Sequence, residues 1–251
     1  MQHSAMQIGW QTGRQKVDNR RHCPFMEFAM FFAEILRSRR SIRRFLPTPV
    51  PRETVLALLD LAATAPSGVN TQPWQVHVLT GGSLVRLTDV LLAEYENSSF
   101  EHQGEYDYYP AQWFEPYLSR RRATGLGLYS LLQIDKKDTA RMREQWARNY
   151  RFFDAPVGLI FTLHRQLGQG SLIDYGGFLQ TLMLAARAHG LDSCVQAAFC
   201  EYHPLIRREL SIPDDQMIVC GMSLGYADPE APENHFKPGR EAASSFTRFH
   251  D

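Results

Sequence analysis

Residues 65–74, APSGVNTQPW, join a helix-like run to a strand-like run and hold two prolines, a glycine, a serine, an asparagine and a glutamine before closing on Trp74. Pro66 fixes the backbone after the helix, and Gly68 permits close approach of another group. The carboxamides of Asn70 and Gln72 offer donors and acceptors suited to the imide edge of a heterocycle. Turn chemistry alone accounts for the same residue types, and Trp74 reads as a core residue. The stretch is either a simple turn or the wall of a site for something planar and polar.

Its flanks set the fold class. Upstream, RETVLALLDLAATA places Val55, Leu58, Leu59 and Ala62 at helical spacing, with Pro51 suited to the first turn. Downstream, WQVHVLTGG alternates as a strand that Gly81-Gly82 stops, and GSLVRLTDVLLAEYE is a further helix. An earlier helix begins near Met26 and ends near residues 39–41, before FLPTPVP breaks it. Farther on, APVGLIFTLH is a strand. LIDYGGFLQTLMLAARAHG is a helix apolar nearly all round, ended by Gly190 and buried within the domain or against another subunit. SCVQAAF is a short strand or a loop, HPLIRREL a short helix, and QMIVCGMSLGY a central strand; the turn-rich tail closes on a final strand. Strands and helices mix without βαβ alternation, which favours α+β over a doubly wound sheet. Residues 97–150, rich in aromatics, arginine and acids, form a long excursion of the kind used as a lid.

Composition narrows the function classes. The 251 residues suit one large domain, and 27 basic residues balance 27 acidic ones, so no global field draws the chain to nucleic acid or membrane. No apolar run is long enough to span a bilayer. Four cysteines show neither CxxC spacing nor histidine partners, which argues against a disulfide framework or zinc site and for a reducing cytoplasm. Residues 1–25 lack both periodicity and a secretory apolar core, and are expected to be a disordered or loosely attached extension. The domain then runs from 26 to 251, with Met26 and Met30 as expected alternative starts.

No GxGxxG, P-loop, HExxH or GxSxG pattern occurs; GLGLYS at 125–130 lacks the third glycine. Nine histidines stand singly, and no metal site is expected. RSRRSIRRF, residues 37–45, concentrates five arginines around Ser41. It is either a solvated basic helix end or a phosphate site, where guanidinium groups bind oxygens bidentately. Lys237 and Arg240 form a second basic group in FKPGRE, far along the chain.

Taken in order, RRSIRRF, APSGVNTQPW, DYGGFLQTLMLAARAHGLDSCVQAAF and SLGYADPEAPENHFKPGR resemble the FMN-dependent nitroreductase family, from about Arg37 to Phe249. RRRATGLGLYSLL and ARNYRFFDAPVGLIF resemble its branch associated with nitroaromatic acids. The resemblance implies a mixed or antiparallel sheet flanked by helices, an intertwined homodimer, and FMN at two interface sites. It assigns Arg39, Arg40, Ser41 and Arg43 to the phosphate and ribityl end, with Lys237 and Arg240 completing the grip. Pro66, Ser67 and Asn70, with Gln72, would line the isoalloxazine; the backbone of Gln196, Ala197 and Ala198 would approach N5 and O4. Some members carry an acidic residue and then a glycine where Ala197 and Ala198 stand. Residues 97–150 become a variable cap in which Tyr108, Tyr109, Trp113, Arg120 and Arg121 are expected to set substrate choice.

The implied activity takes electrons from NAD(P)H to nitroaromatic, quinone-like or related conjugated acceptors, with no catalytic side chain. Two alternatives stand beside it. Iodotyrosine deiodinases share the arginine-serine and APSG elements, and Glu105 with Tyr109 has the spacing their cap uses for an amino-acid zwitterion, although Lys136 and Lys137 come later than their lysine. A non-catalytic protein would instead offer its arginine runs to nucleic acid or an acidic partner, against its neutral overall charge.

Overall fold

A computed structural model describes residues 32–97 and 103–250. The expected N-terminal extension, its alternative starts and the first turns of the opening helix lie outside the described residues. Four strands, β1 (Gln75–Thr80), β2 (Val157–His164), β3 (Asp192–Gln196) and β4 (Gln216–Gly225), form one antiparallel sheet in the order β1-β2-β4-β3. The helices are α1 (Phe32–Ser38), α2 (Arg52–Ala62), α3 (Gly81–Asn97), α4 (Tyr117–Leu131), α5 (Thr139–Ala147), α6 (Gly170–Ala188), α7 (His203–Leu210) and α8 (Ala243–Phe246). The α+β class read from the sequence is the class observed.

The side-chain period of two sorts the central strand β2 between two cores. Val157, Leu159, Phe161 and Leu163 pack with Val55, Leu58 and Ala62 of α2 and Tyr175, Phe178 and Leu182 of α6. Ile160 faces the other way, into a cluster with Leu87 and Leu91 of α3, Phe152, Phe199 and Ile206 of α7. Trp74 stacks on Phe178 with centroids 4.8 Å apart, the core role read from the sequence. β1 stops at Thr80, immediately before Gly81-Gly82 as read from the sequence, and Gly81, at φ +49°, turns the chain directly into α3.

A register shift between Phe161 and Thr162 pairs them with Cys220 and Ile218, leaving Val219 as the extra residue of a bulge. The excursion is anchored there. The Tyr106 hydroxyl donates to the Val219 carbonyl, and the Ile218 N–H donates to Glu105 Oε2 at 2.7 Å. Arg165 and Arg207 also bind the Glu105 carboxylate, the latter at 2.9 Å. From this anchor the chain passes into α4 and α5. Gly127 of α4 lies so close to Phe236 that a Cβ would meet the ring at 2.6 Å.

The tail departs from expectation. Its described residues form no final strand, but a 3-10 turn (Pro232–His235) and the short α8. Pro229, Pro232 and Pro238 lack the amide donors a ladder needs. Asn234, 4% exposed, uses its side chain instead. Its Oδ1 accepts from the N–H groups of Arg43 and Arg44 at 2.8 and 3.2 Å, and its Nδ2 donates to the carbonyls of Arg44 and Asp228 at 2.7 and 2.9 Å. Beside it, buried Glu233 pairs with Arg148 and, at 3.7 Å, with Arg44.

Asn234→Ala strands these buried backbone groups and should cost about 2–4 kcal/mol. Calorimetry should show Tm falling by several degrees; an unchanged Tm would show that the clamp is not needed. Glu105 offers a pH test. Burial alone would raise its pKa, but the Ile218 N–H and the guanidinium of Arg165 outweigh burial and hold it below the usual value. A depressed folded-state pKa gives stability present above the unfolded value, near 4.5, and lost as pH falls through the folded one. The Tm gap between the native chain and Glu105→Gln should therefore be full at pH 6 and close as the solution is acidified below 4.5.

Candidate active site

The basic run leaves α1 in extended form and lies along β3, with the Ile42 N–H donating to the Ser193 carbonyl at 3.2 Å. Extended backbone sends alternate side chains to opposite sides, and this separates the arginines. Arg39, Ser41 and Arg43 act on the buried thiol of Cys194 in β3, which burial raises and these three groups lower. Even-numbered residues serve the protein. Ile42 enters the core, Arg40 donates to the Asn234 carbonyl at 2.9 Å, and Arg44 pairs with Asp154 at 3.0 Å. Arg37, also in the run, is exposed on α1.

The Asn234 clamp explains how the second basic group reaches the first. It pins residues 228–234 to Arg43 and Arg44, and the chain then continues to Lys237 and Arg240. Arg39 is held below its usual pKa by burial and then by the neighbouring Arg240. No carboxylate among the described residues pairs with Arg39, Lys237 or Arg240. Lys237 and Arg240 share with Arg120 an open groove of about 950 Å³ that also includes Phe236 and Phe246.

A second cleft, of about 460 Å³, lies between β3 and the cap. Gln196, Ala197 and Ala198 line it together with Arg43, Tyr108 and Tyr109. The Gln196 side chain is fixed: its Nε2 donates to the Asn149 carbonyl at 2.8 Å, and its Oε1 accepts from Ser223 at 2.5 Å. Only main chain is left to face a ligand here. Ala197 opens a 3-10 helix (Ala197–Tyr202), whose first amides have no intrahelical acceptor. An acceptor edge of a bound ring is the natural partner for such donors.

The cap candidates divide. Tyr108 and Tyr109 line the cleft, with hydroxyls kept protonated chiefly by burial. Trp113 packs on Tyr109 and carries the Arg121 guanidinium 4.9 Å above its ring, outside the cleft lining. Arg120 pairs with Glu241 at 3.2 Å and lines the basic groove. Glu105, needed in the zwitterion reading, is engaged at the bulge and does not line the cleft.

The opening loop is placed apart from both cavities. Gly68–Asn70 form a 3-10 turn against α6, with the Gly68 N–H donating to Asp174 at 3.2 Å. Ser67 Oγ accepts from the Gln72 N–H at 3.0 Å, and Gln72 Nε2 reaches the Asn70 carbonyl at 3.4 Å. Val69, Asn70 and Gln72 all have positive φ, and Val69 is 98% exposed. Pro66, Ser67, Asn70 and Gln72 therefore do not meet Gln196–Ala198 within one chain. Asn234, Asn149, Asp107 and Glu201 were not singled out from the sequence; single asparagines and acids in a polar stretch carry no spacing signal.

Residues 36–226 match the family described as the nitroreductase family. A nitrobenzene nitroreductase of Ectopseudomonas oleovorans is 42% identical over 224 residues, covering 89% of this chain and 99% of that protein. A 4-nitrobenzoate reductase of Pseudomonas putida is 44% identical over 218 residues, covering 87% and 95%. The solved FMN- and NADPH-dependent nitroreductase NfnB of a Sphigopyxis strain superposes with a TM-score of 0.86 at 36% identity, over 88% of this chain and all of that one. An iodotyrosine dehalogenase 1 homologue of Caenorhabditis elegans is more distant, at 24% over 222 residues, 84% of this chain and 59% of that protein. With its antiparallel sheet, its basic run along β3 and the amide-lined cleft beside it, the chain belongs to the nitroreductase family.

Proposed function

We propose that the chain is an FMN-dependent oxidoreductase that transfers electrons from NAD(P)H to nitroaromatic, quinone-like or related conjugated acceptors, as a homodimer with two interface sites. The observation that carries this reading is the convergence of Arg39 and Arg240, two guanidiniums with no carboxylate between them, beside a cleft edged by main-chain amides. Like charges held near one another, one of them half-buried as Arg39 is, are unfavourable until an anion joins them. The donor set fits FMN. Arg39, Ser41, Arg43, Lys237 and Arg240 would hold the phosphate and ribityl end, and the amides of Ala197 and Ala198 the ring's acceptor edge. Arg40 contributes through its place in the clamp. Bound FMN supplies the hydride acceptor and electron donor. The chain's own residues orient it, exclude water under the cap and place positive charge where reduction leaves negative charge.

The opening loop and α6 support the dimer. Phe32, Leu36, Leu56, Val69 and Ile173 are exposed apolar side chains on α1, α2, the loop and α6, and α1, α2 and the loop each pack against α6. A patch of this kind marks an interface. A second copy seated there would bring its own Pro66–Gln72 to the first copy's cleft, reuniting two halves that one chain keeps apart. No described helix is long and apolar enough to cross a membrane. The thiols of Cys194, Cys200 and Cys220 are buried and unpaired, which suits a reducing cytoplasm. The non-catalytic reading is disfavoured because Arg39 lies near Arg240, and Arg240 shares one groove with Lys237, rather than each standing apart along a surface that nucleic acid could track.

The purified protein should be yellow, and NADPH added without oxygen should bleach it. A colourless protein that FMN does not reconstitute would sink the reading. Arg39→Ala should weaken FMN binding about 10–100-fold, the loss of one charge-assisted contact, while Arg40→Ala should lower Tm with a smaller effect on affinity; FMN fluorescence titration separates the two. Ile173→Glu should yield a monomer by sedimentation that also lacks FMN. A persistent yellow dimer in that variant would place the interface elsewhere.

A further inference from the structure

Relatives at 42% and 44% identity are named for an uncharged nitroarene and for a nitroaromatic carboxylate, so similarity leaves the charge of the acceptor open. The cleft itself is more informative. Among its described lining residues the only guanidinium or ammonium group is Arg43, which belongs to the run along β3. Two carboxylates, Asp107 of the cap and Glu201 of the 3-10 helix after Ala197, line the same space. Neither of the arginines nearest in sequence to the cap tyrosines lines the cleft: Arg120 pairs with Glu241, and Arg121 lies over the face of Trp113.

We infer, on the reductase reading above, that the cleft selects uncharged nitroarenes over nitroaromatic carboxylates, with Asp107 and Glu201 as the residues that set this choice. A carboxylate on the substrate ring would enter an open cleft that already holds two like charges, and the one cation among its described lining residues, Arg43, is assigned above to the flavin's phosphate and ribityl end. Tyr108 and Tyr109 supply neutral hydroxyl donors, which can serve a nitro group's oxygens without favouring an anion. After burial, Glu201 is among the groups that raise the Tyr109 hydroxyl, which places its charge on the same side of the cleft as the cap tyrosines. Arg121 opposes it at Tyr109, so the selection is a contest between one cation at the rim and two carboxylates in the lining.

The test compares 4-nitrobenzamide with 4-nitrobenzoate, equal in shape and different in charge, on the NADPH-reduced holoenzyme. At low ionic strength kcat/KM should favour the amide by at least about tenfold, and added salt should narrow the ratio. Asp107→Asn with Glu201→Gln should bring the ratio towards unity, whereas loosening of the cap alone would move both substrates together. Calorimetry on the same holoenzyme should show benzamide binding about tenfold more tightly than benzoate, a comparison independent of turnover. Equal kcat/KM and equal binding overturn the inference. A preference for 4-nitrobenzoate abolished by Arg121→Gln overturns it in favour of the rim cation. A flavin that NADPH bleaches while neither nitro compound reacts refutes nitroarene reduction, and the calorimetric ratio then decides charge selection alone.

Discussion

The site depends on one carboxamide. Asn234 satisfies two backbone donors and two backbone acceptors, and every partner lies in residues 43–44 or at 228. No other uncharged side chain of that length offers this balance of donors and acceptors. An aspartate could accept from Arg43 and Arg44 but would set its charge against the carbonyls of Arg44 and Asp228. Through this contact, segments some 190 residues apart run side by side, and Arg39, before the first, is brought near Arg240, after the second. The buried Glu233–Arg148 pair beside it supports the same junction, because a lone carboxylate there would be strongly disfavoured.

With the tail fixed, a two-residue period does the rest. A helical continuation of α1 would have fanned the arginines round a cylinder and sent several into water. Extended backbone along β3 puts Arg39, Ser41 and Arg43 on one side and gives Arg40, Ile42 and Arg44 to the fold. The same logic governs Gln196, whose buried carboxamide is held by Asn149 and Ser223, so that β3 ends with main chain rather than side chain at the cleft. Replacing an acid and a glycine by Ala197 and Ala198 is tolerable where backbone donors are the functional groups.

Much of this was legible from sequence, and the failures have physical causes. The alternation of β1, the apolar runs of β2 and β4, the apolar spacing of α2 and the nearly all-apolar α6 predicted those elements because each is governed by burial, of one face or of both. The tail was misread as ending in a strand because its stability comes from side-chain bonds to residues 190 positions away, which leave no periodicity. RRSIRRF was recognisable as basic, but which arginines face a ligand depends on whether the backbone is helical or extended, and composition is silent on that. Pro66, Ser67, Asn70 and Gln72 were rightly noticed as unusual. What composition could not show is that the loop lies outside its own chain's cleft; on the dimer proposed above, the apposition would depend on how a second copy sits.

The loop's conformation argues for that second copy on separate grounds. A β-branched residue at φ +44° that is also almost wholly exposed is doubly unfavourable in an isolated chain. Such geometry persists where surrounding structure over-determines it; here Gly68 bonds to Asp174, Gln72 to Ser67 and Asn70, Asn70 to Ser67 and Thr71 to Gly68, and none of these bonds covers Val69. On the dimer reading proposed above, a partner subunit and the ring between the two chains would cover Val69 together, so that cofactor binding and subunit association would be thermodynamically linked. Loss of either would then leave the loop's strain unrelieved.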